Sequence, residues 1–269
     1  MTDLIKMDIY RLVHSKSFKV GLLFSIIIPL LVVGAMGAVI HLSGTEIQDM
    51  SMNIIIKMWI GKGFSLGQVI MIGLESLSLL ISTVLTVLFV NEEQSDGFIK
   101  NIAGIVPNRG MLVVSKFCGI AVINVSIFLV YTIVSVIAGA VCMSSVLIKG
   151  PVLYTIFVWL VKFLLYMAID SIILCICMLT KSRSLAIGVS VIWGIGVIRI
   201  VYSAIGAFIN MAIRGLHIDV SLFTPDGVNA ILTLKSEPDV LIRGVIISLI
   251  YSAVFVLMTS VILNRRDVK

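Results

Sequence analysis

Residues 117–148 read FCGIAVINVSIFLVYTIVSVIAGAVCMSSVLI, an uncharged stretch bounded by Lys116 and Lys149. A hydrocarbon layer about 30 Å thick is crossed by ~20 helical residues. The stretch exceeds one crossing and falls short of two with a turn, so it reads as one long or tilted span. Lipid offers no partner to backbone N–H and C=O groups, so such a segment must bond internally as a helix. The whole chain has this character: 59% of its 269 residues are hydrophobic and 13% charged, with mean hydropathy +1.17. A soluble core of this size needs far less apolar sequence.

Working outward, five further spans are expected. Val20–Ile40 carries Pro29 and lacks a small-residue cleavage site, so it reads as retained. Leu66–Val90 carries Glu75. A span after Gly150-Pro151 reaches Leu179 and contains Lys162 and Asp170. Another begins at Ser184, contains Arg199, and stays apolar to Ile213. The last runs from Gly244 to Leu263. The expected fold is an all-α polytopic membrane helix bundle of six transmembrane helices with an N-terminal interfacial helix, the whole chain 1–269 forming one domain. Within 205–243, Thr224-Pro225-Asp226 offers an N-cap followed by proline at the first helical position, predicting a short helix from Pro225 to Leu234.

Residues 1–19 place Ile5, Ile9, Leu12 and Val13 on one stripe, with Lys6 and Lys16 beside it. That is the pattern of a helix lying in the membrane interface, its lysines reaching the head groups. Lys and Arg collect where loops stay cytoplasmic. With the N-terminus inside, twelve of the 20 basic residues fall on inner segments and six on outer ones. Both termini are therefore expected in the cytoplasm. The net charge of +6 follows from this bias and from attraction to an anionic leaflet, without a nucleic-acid partner.

Several chemistries are excluded or disfavoured. The four cysteines, Cys118, Cys142, Cys175 and Cys177, lie in or beside spans and suit packing better than a disulfide framework. Histidines 14, 41 and 217 are scattered, which leaves no metal cluster to assemble. Glu92-Glu93 suggests a paired-glutamate intramembrane protease, but Gly97 stands where that chemistry wants Arg. No G-x-x-x-x-G-K-[ST] loop occurs, so the chain has no such site for ATP. No catalytic residue, cofactor or metal is expected on this chain.

The inner segment 91–116 is the most informative polar stretch. It carries Glu93, Gly97 and Lys100, then Pro107-Asn108-Arg109, then Ser115-Lys116 at the start of the third span. Acids first and bases last suit a short helix lying along the membrane, because each complements one end of the helix dipole. An ordinary charged loop is the alternative reading of the residues alone. In order and placement, these residues resemble the segment between the second and third spans of permease subunits of the ABC type-2 exporter family. The resemblance extends to the layout of the whole chain: interfacial helix, six spans, both ends inside.

The resemblance implies a bacterial inner-membrane permease that works with a separate ABC ATPase subunit, which binds the ATP, and with a second permease copy or a paralogue. It makes 91–116 the coupling segment, with Glu93, Gly97, Lys100, Pro107 and Arg109 as contacts to the ATPase. Small bacterial members similar in length include lantibiotic self-immunity permeases, which points to hydrophobic or amphipathic cargo such as an antimicrobial peptide. A secondary transporter or channel independent of ATP is the competing expectation.

Charges within spans face the bundle or a cavity. Counting ~1.5 Å per residue, Glu75 lies roughly 13 Å and Lys162 roughly 16 Å from the outer face, with Arg199 roughly 8 Å below it. Glu75 is expected to pair with Arg199 or Lys162. Asp170, nearer the inner interface, is expected to be solvated or paired with Lys181 or Arg183. Ala186, Ser190 and Gly194 recur every four residues, a stripe that allows close helix approach and reads as internal packing.

Overall fold

The structure, a computed structural model, describes residues 2–43, 64–75, 77–95, 110–144, 147–148, 150–180, 182–212 and 219–265. The interfacial helix is α1 (Thr2–His14). Ser15 ends it and starts the next, since its hydroxyl accepts from the Phe18 backbone N–H at 3.2 Å, as an N-cap does. Helix α2 (Lys16–Ser43) then crosses the bundle with Pro29 inside it.

The second span is not the single helix expected. It is α3 (Leu66–Glu75) followed by α4 (Ser78–Ser95), bent by 46°. Leu77, in the interruption, has φ +55°, a left-handed conformation uncommon for a side chain of this size. The third span is one long helix as expected, α5 (Gly110–Cys142). Beyond it a two-residue strand, β2 (Leu147–Ile148), pairs in parallel with β1 (Phe64–Ser65), tying the entries to α3 and α6 (Val152–Leu179) together.

Helix α6 is the hub. It is apolar all round and buried along most of its length, and it packs against α3, α4 and α5. Phe128 of α5 makes edge-to-face contacts with Trp159, Phe163 and Tyr166 of α6, at centroid distances of 5.3, 5.8 and 4.9 Å. Such pairs add about 0.5–1.5 kcal/mol each beyond area burial.

The fifth span is also broken. Helix α7 (Arg183–Gly194) and α8 (Ile198–Ala212) meet at 69° across residues 195–197. A 3₁₀ turn (Val220–Phe223) leads into the expected short helix, α9 (Pro225–Ile231), where the Gly227 N–H bonds the Thr224 hydroxyl at 3.3 Å and Pro225 opens the first turn. The last span is α10 (Pro238–Arg265), packed along α6. Among the described residues four helices are long and apolar enough to cross a membrane, and the number rises to six if each bent pair counts as one span.

Candidate functional site

Both broken spans interrupt their helices beside α6. At the first break the Leu74 carbonyl loses its normal helical donor. It accepts instead from the Ser78 hydroxyl and from Tyr166 of α6 at 3.4 Å, and Ser78 and Tyr166 hydroxyls lie 2.9 Å apart. At the second break Gly196 has φ +81°, and a β-carbon there would come within 2.8 Å of the Arg199 guanidinium. Glycine is needed for the turn itself, since few side chains adopt this φ, whereas the Arg199 guanidinium ends a flexible, partly exposed side chain that can shift.

The breaks put charges in the bundle. Lys162 Nζ donates to Glu75 Oε1 and to the Asn229 carbonyl of α9, each at 3.3 Å. Of the two partners expected for Glu75, it is Lys162 that holds it. Arg199 goes elsewhere, its Nε donating to Asp226 Oδ2 at 3.1 Å. Asp226 had drawn notice only as part of a helix start, and the signal that could have found it is the single charge on a short helix that precedes a membrane span. Burial pushes the Asp226 carboxyl above its ordinary range, against the opposing pull of Arg199.

The two pairs are lopsided. Lys162 and Asp226 are buried, at 2% and 0% side-chain exposure, whereas Glu75 and Arg199 remain 52% and 41% exposed. The exposed members line one cavity of about 340 Å³ together with Leu77, Tyr166, Gly194 and Asn229. Its wall is more polar than apolar, unlike a second cavity of about 460 Å³ lined by Leu66, Ile70, Leu147 and Val152 where α3 and α6 begin.

Asp170 departs from expectation. It is neither solvated nor paired with Arg183, and Lys181 lies outside the described residues. The carboxyl is fully buried between α4, α5 and α6, where Oδ2 accepts from Ser82 Oγ and Asn124 Nδ2, both at 2.6 Å. Sequence depth misled here: proximity to a helix end does not imply water when three helices converge on that level.

At the end of the bundle holding the N-terminus, Lys116 Nζ donates to Asp8 Oδ1 at 2.8 Å and sits 4.7 Å from the centroid of the Phe89 ring. The Ser115 hydroxyl donates to the other Asp8 oxygen. Helix α1 is thereby fixed to α5, and Lys116 touches α4 as well. Asp8 had no place in the sequence reading, although an acid on the Ile5–Leu12 face of an amphipathic helix is a signal. Glu93 lies in the last turns of α4; Gly97, Lys100, Pro107 and Arg109 lie outside the described residues, in the connection from α4 to α5.

The Ala186–Ser190–Gly194 stripe faces α4 within the chain. Ala186 and Ser190 are buried, the Ser190 carbonyl accepts from Thr83 Oγ1 at 3.1 Å, and a β-carbon on Gly194 would come within 2.5 Å of Leu80 Cα. Among the described residues no group of His, Cys, Asp and Glu is placed to hold a metal.

A family profile described as ABC-2 family transporter protein matches residues 4–197. The matched stretch contains α1 to α7, with Asp8, Glu75, Lys116, Lys162 and Asp170, and stops at the second break. The comparison with curated proteins gives no match.

Proposed function

The chain belongs to the ABC-2 transporter family, and on that premise we propose that it is the membrane-spanning subunit of an ATP-driven exporter. The family match carries this reading. The sequence holds no phosphate-binding loop of the G-x-x-x-x-G-K-[ST] form, which is consistent with ATP being bound by an ABC ATPase subunit. A second copy of the chain, or a paralogous permease, completes the transporter. The excess of Lys and Arg on the segments that share an end with the termini supports both termini in the cytoplasm of a bacterial inner membrane.

In this reading residues 91–116 are the coupling segment, with Glu93, Gly97, Lys100, Pro107 and Arg109 meeting the ATPase. The cargo is hydrophobic or amphipathic, such as an antimicrobial peptide extracted from the membrane. The test is export into inverted membrane vesicles, with pull-down of the ATPase. Gly97→Val and Glu93→Lys are expected to insert at normal levels yet lose ATP-dependent export. Full ATP-driven export by both variants would remove the coupling role. Export that survives ATP depletion and follows an ion gradient would replace the whole reading with a secondary transporter.

A further inference from the structure

We propose that the polar cavity at the two helix breaks is a head-group subsite for a zwitterionic amphiphile, with Glu75 receiving its cationic group and Arg199 its anionic group. This deepens the exporter reading, since it takes the cavity as a station for cargo, but the binding itself requires no ATP.

Four observations converge on this chemistry. Glu75 lies about 14 Å along α3 from Leu66 by helical rise, yet its carboxylate stays half-exposed even with Lys162 on one oxygen. A carboxylate open to hydrocarbon at that depth is expensive, so the cavity favours polar contents over lipid tails. Arg199, also exposed, presents the opposite sign in the same cavity. The four charges of the two pairs sum to zero, so the site favours a ligand that carries both signs over one with net charge.

A fourth observation concerns polar capacity and size. Asn229, only 8% exposed and lining the cavity, has a side-chain oxygen with no hydrogen-bond partner. A buried acceptor of this kind gains from a ligand donor. The volume of about 340 Å³ is at the small end of ligand sites and suits a head group, not a whole peptide.

The experiment is native mass spectrometry of the purified full chain in an uncharged detergent, titrated with three amphiphiles of matched tail: lysophosphatidylethanolamine, lysophosphatidylglycerol and an alkylammonium. The zwitterion is expected to bind at least about tenfold more tightly than either singly charged amphiphile, one charge-assisted contact being worth about that factor. Arg199→Gln should shift the preference toward the alkylammonium, and Glu75→Gln toward the anionic amphiphile. Ala230→Phe, which fills the cavity from α9 and leaves all four charges in place, should reduce uptake of all three.

Phosphatidylethanolamine that co-purifies with the wild type and disappears in Ala230→Phe would name the bilayer as the source of the head group. A site empty until amphiphile is added would name the cargo. Equal affinity for the three head groups, or undiminished zwitterion uptake by a folded Ala230→Phe, overturns the proposal. Because no nucleotide or ATPase is present, either result stands apart from whether export is ATP-driven.

Discussion

Lys116 Nζ donates to Asp8 Oδ1 at 2.8 Å across 108 residues of sequence, and both side chains are buried. Removing one member strands the other charge, which costs about 3–5 kcal/mol. Asp8→Ala and Lys116→Met should each lower thermal stability in detergent and open α1 to trypsin at Lys6 and Arg11. The double variant Asp8→Leu/Lys116→Met should recover most of the loss, because it leaves no lone charge. Singles as stable as the wild type would show that α1 is held by its apolar stripe alone.

Glu75 and Lys162 should respond unequally. Glu75→Ala leaves Lys162 charged at 2% exposure, with the Asn229 carbonyl as its remaining partner, and should cost about 3 kcal/mol or more. Lys162→Met leaves a carboxylate that already reaches the cavity and should cost about 1 kcal/mol. Equal losses in thermal denaturation would mean the cavity does not hydrate Glu75.

Asp170 is served by neutral donors, Ser82 and Asn124. Asp170→Asn keeps an oxygen of the same shape for both and should change stability by about 1 kcal/mol or less. Asp170→Leu takes the carboxylate acceptor from the buried Asn124 amide and leaves the Ser82 hydroxyl only the Asn124 side-chain oxygen at 2.7 Å, and should cost about 2 kcal/mol. A severe defect in the Asn variant, measured as lost monodisperse protein after solubilisation, would demand a role for the negative charge itself.

Gly194 and Gly188 share α7 and make an internal control. A β-carbon at Gly194 would press on the Leu80 backbone at 2.5 Å, whereas one at Gly188 meets nothing within 4 Å. Gly194→Ala should push α7 off α4 and cost about 1–3 kcal/mol. Gly188→Ala should be neutral or slightly stabilising, as alanine is the better helix former. The same melting temperature for both variants would contradict the close packing of α4 on α7.

Much of the site was partly visible in sequence. Glu75, Lys162 and Arg199 stood out because a charge within an apolar run is conspicuous, and similar depth left Lys162 and Arg199 as the two candidate partners of Glu75. Depth could not show that Arg199 would be claimed by Asp226, because α9 folds back against α6 only once the chain has turned at Gly196. Asp8 went unnoticed because a single acid on an amphipathic helix reads as a solvated residue; its importance comes from Ser115 and Lys116, 107 and 108 residues away.

The sequence by itself determined that this chain is a membrane helix bundle, that its first helix is amphipathic, that a short capped helix precedes the last span, and that the segment around Gly97 resembles an exporter's coupling region. These features depend on composition and local periodicity, which act over a few turns of chain. Only the tertiary structure decided that two spans are broken, that the breaks meet beside α6, and that Asp170 is sealed between three helices. Those outcomes depend on which helices touch: a backbone break in the bundle is tolerable only where side chains from another helix, here Tyr166 at the Leu74 carbonyl, replace the lost hydrogen bonds.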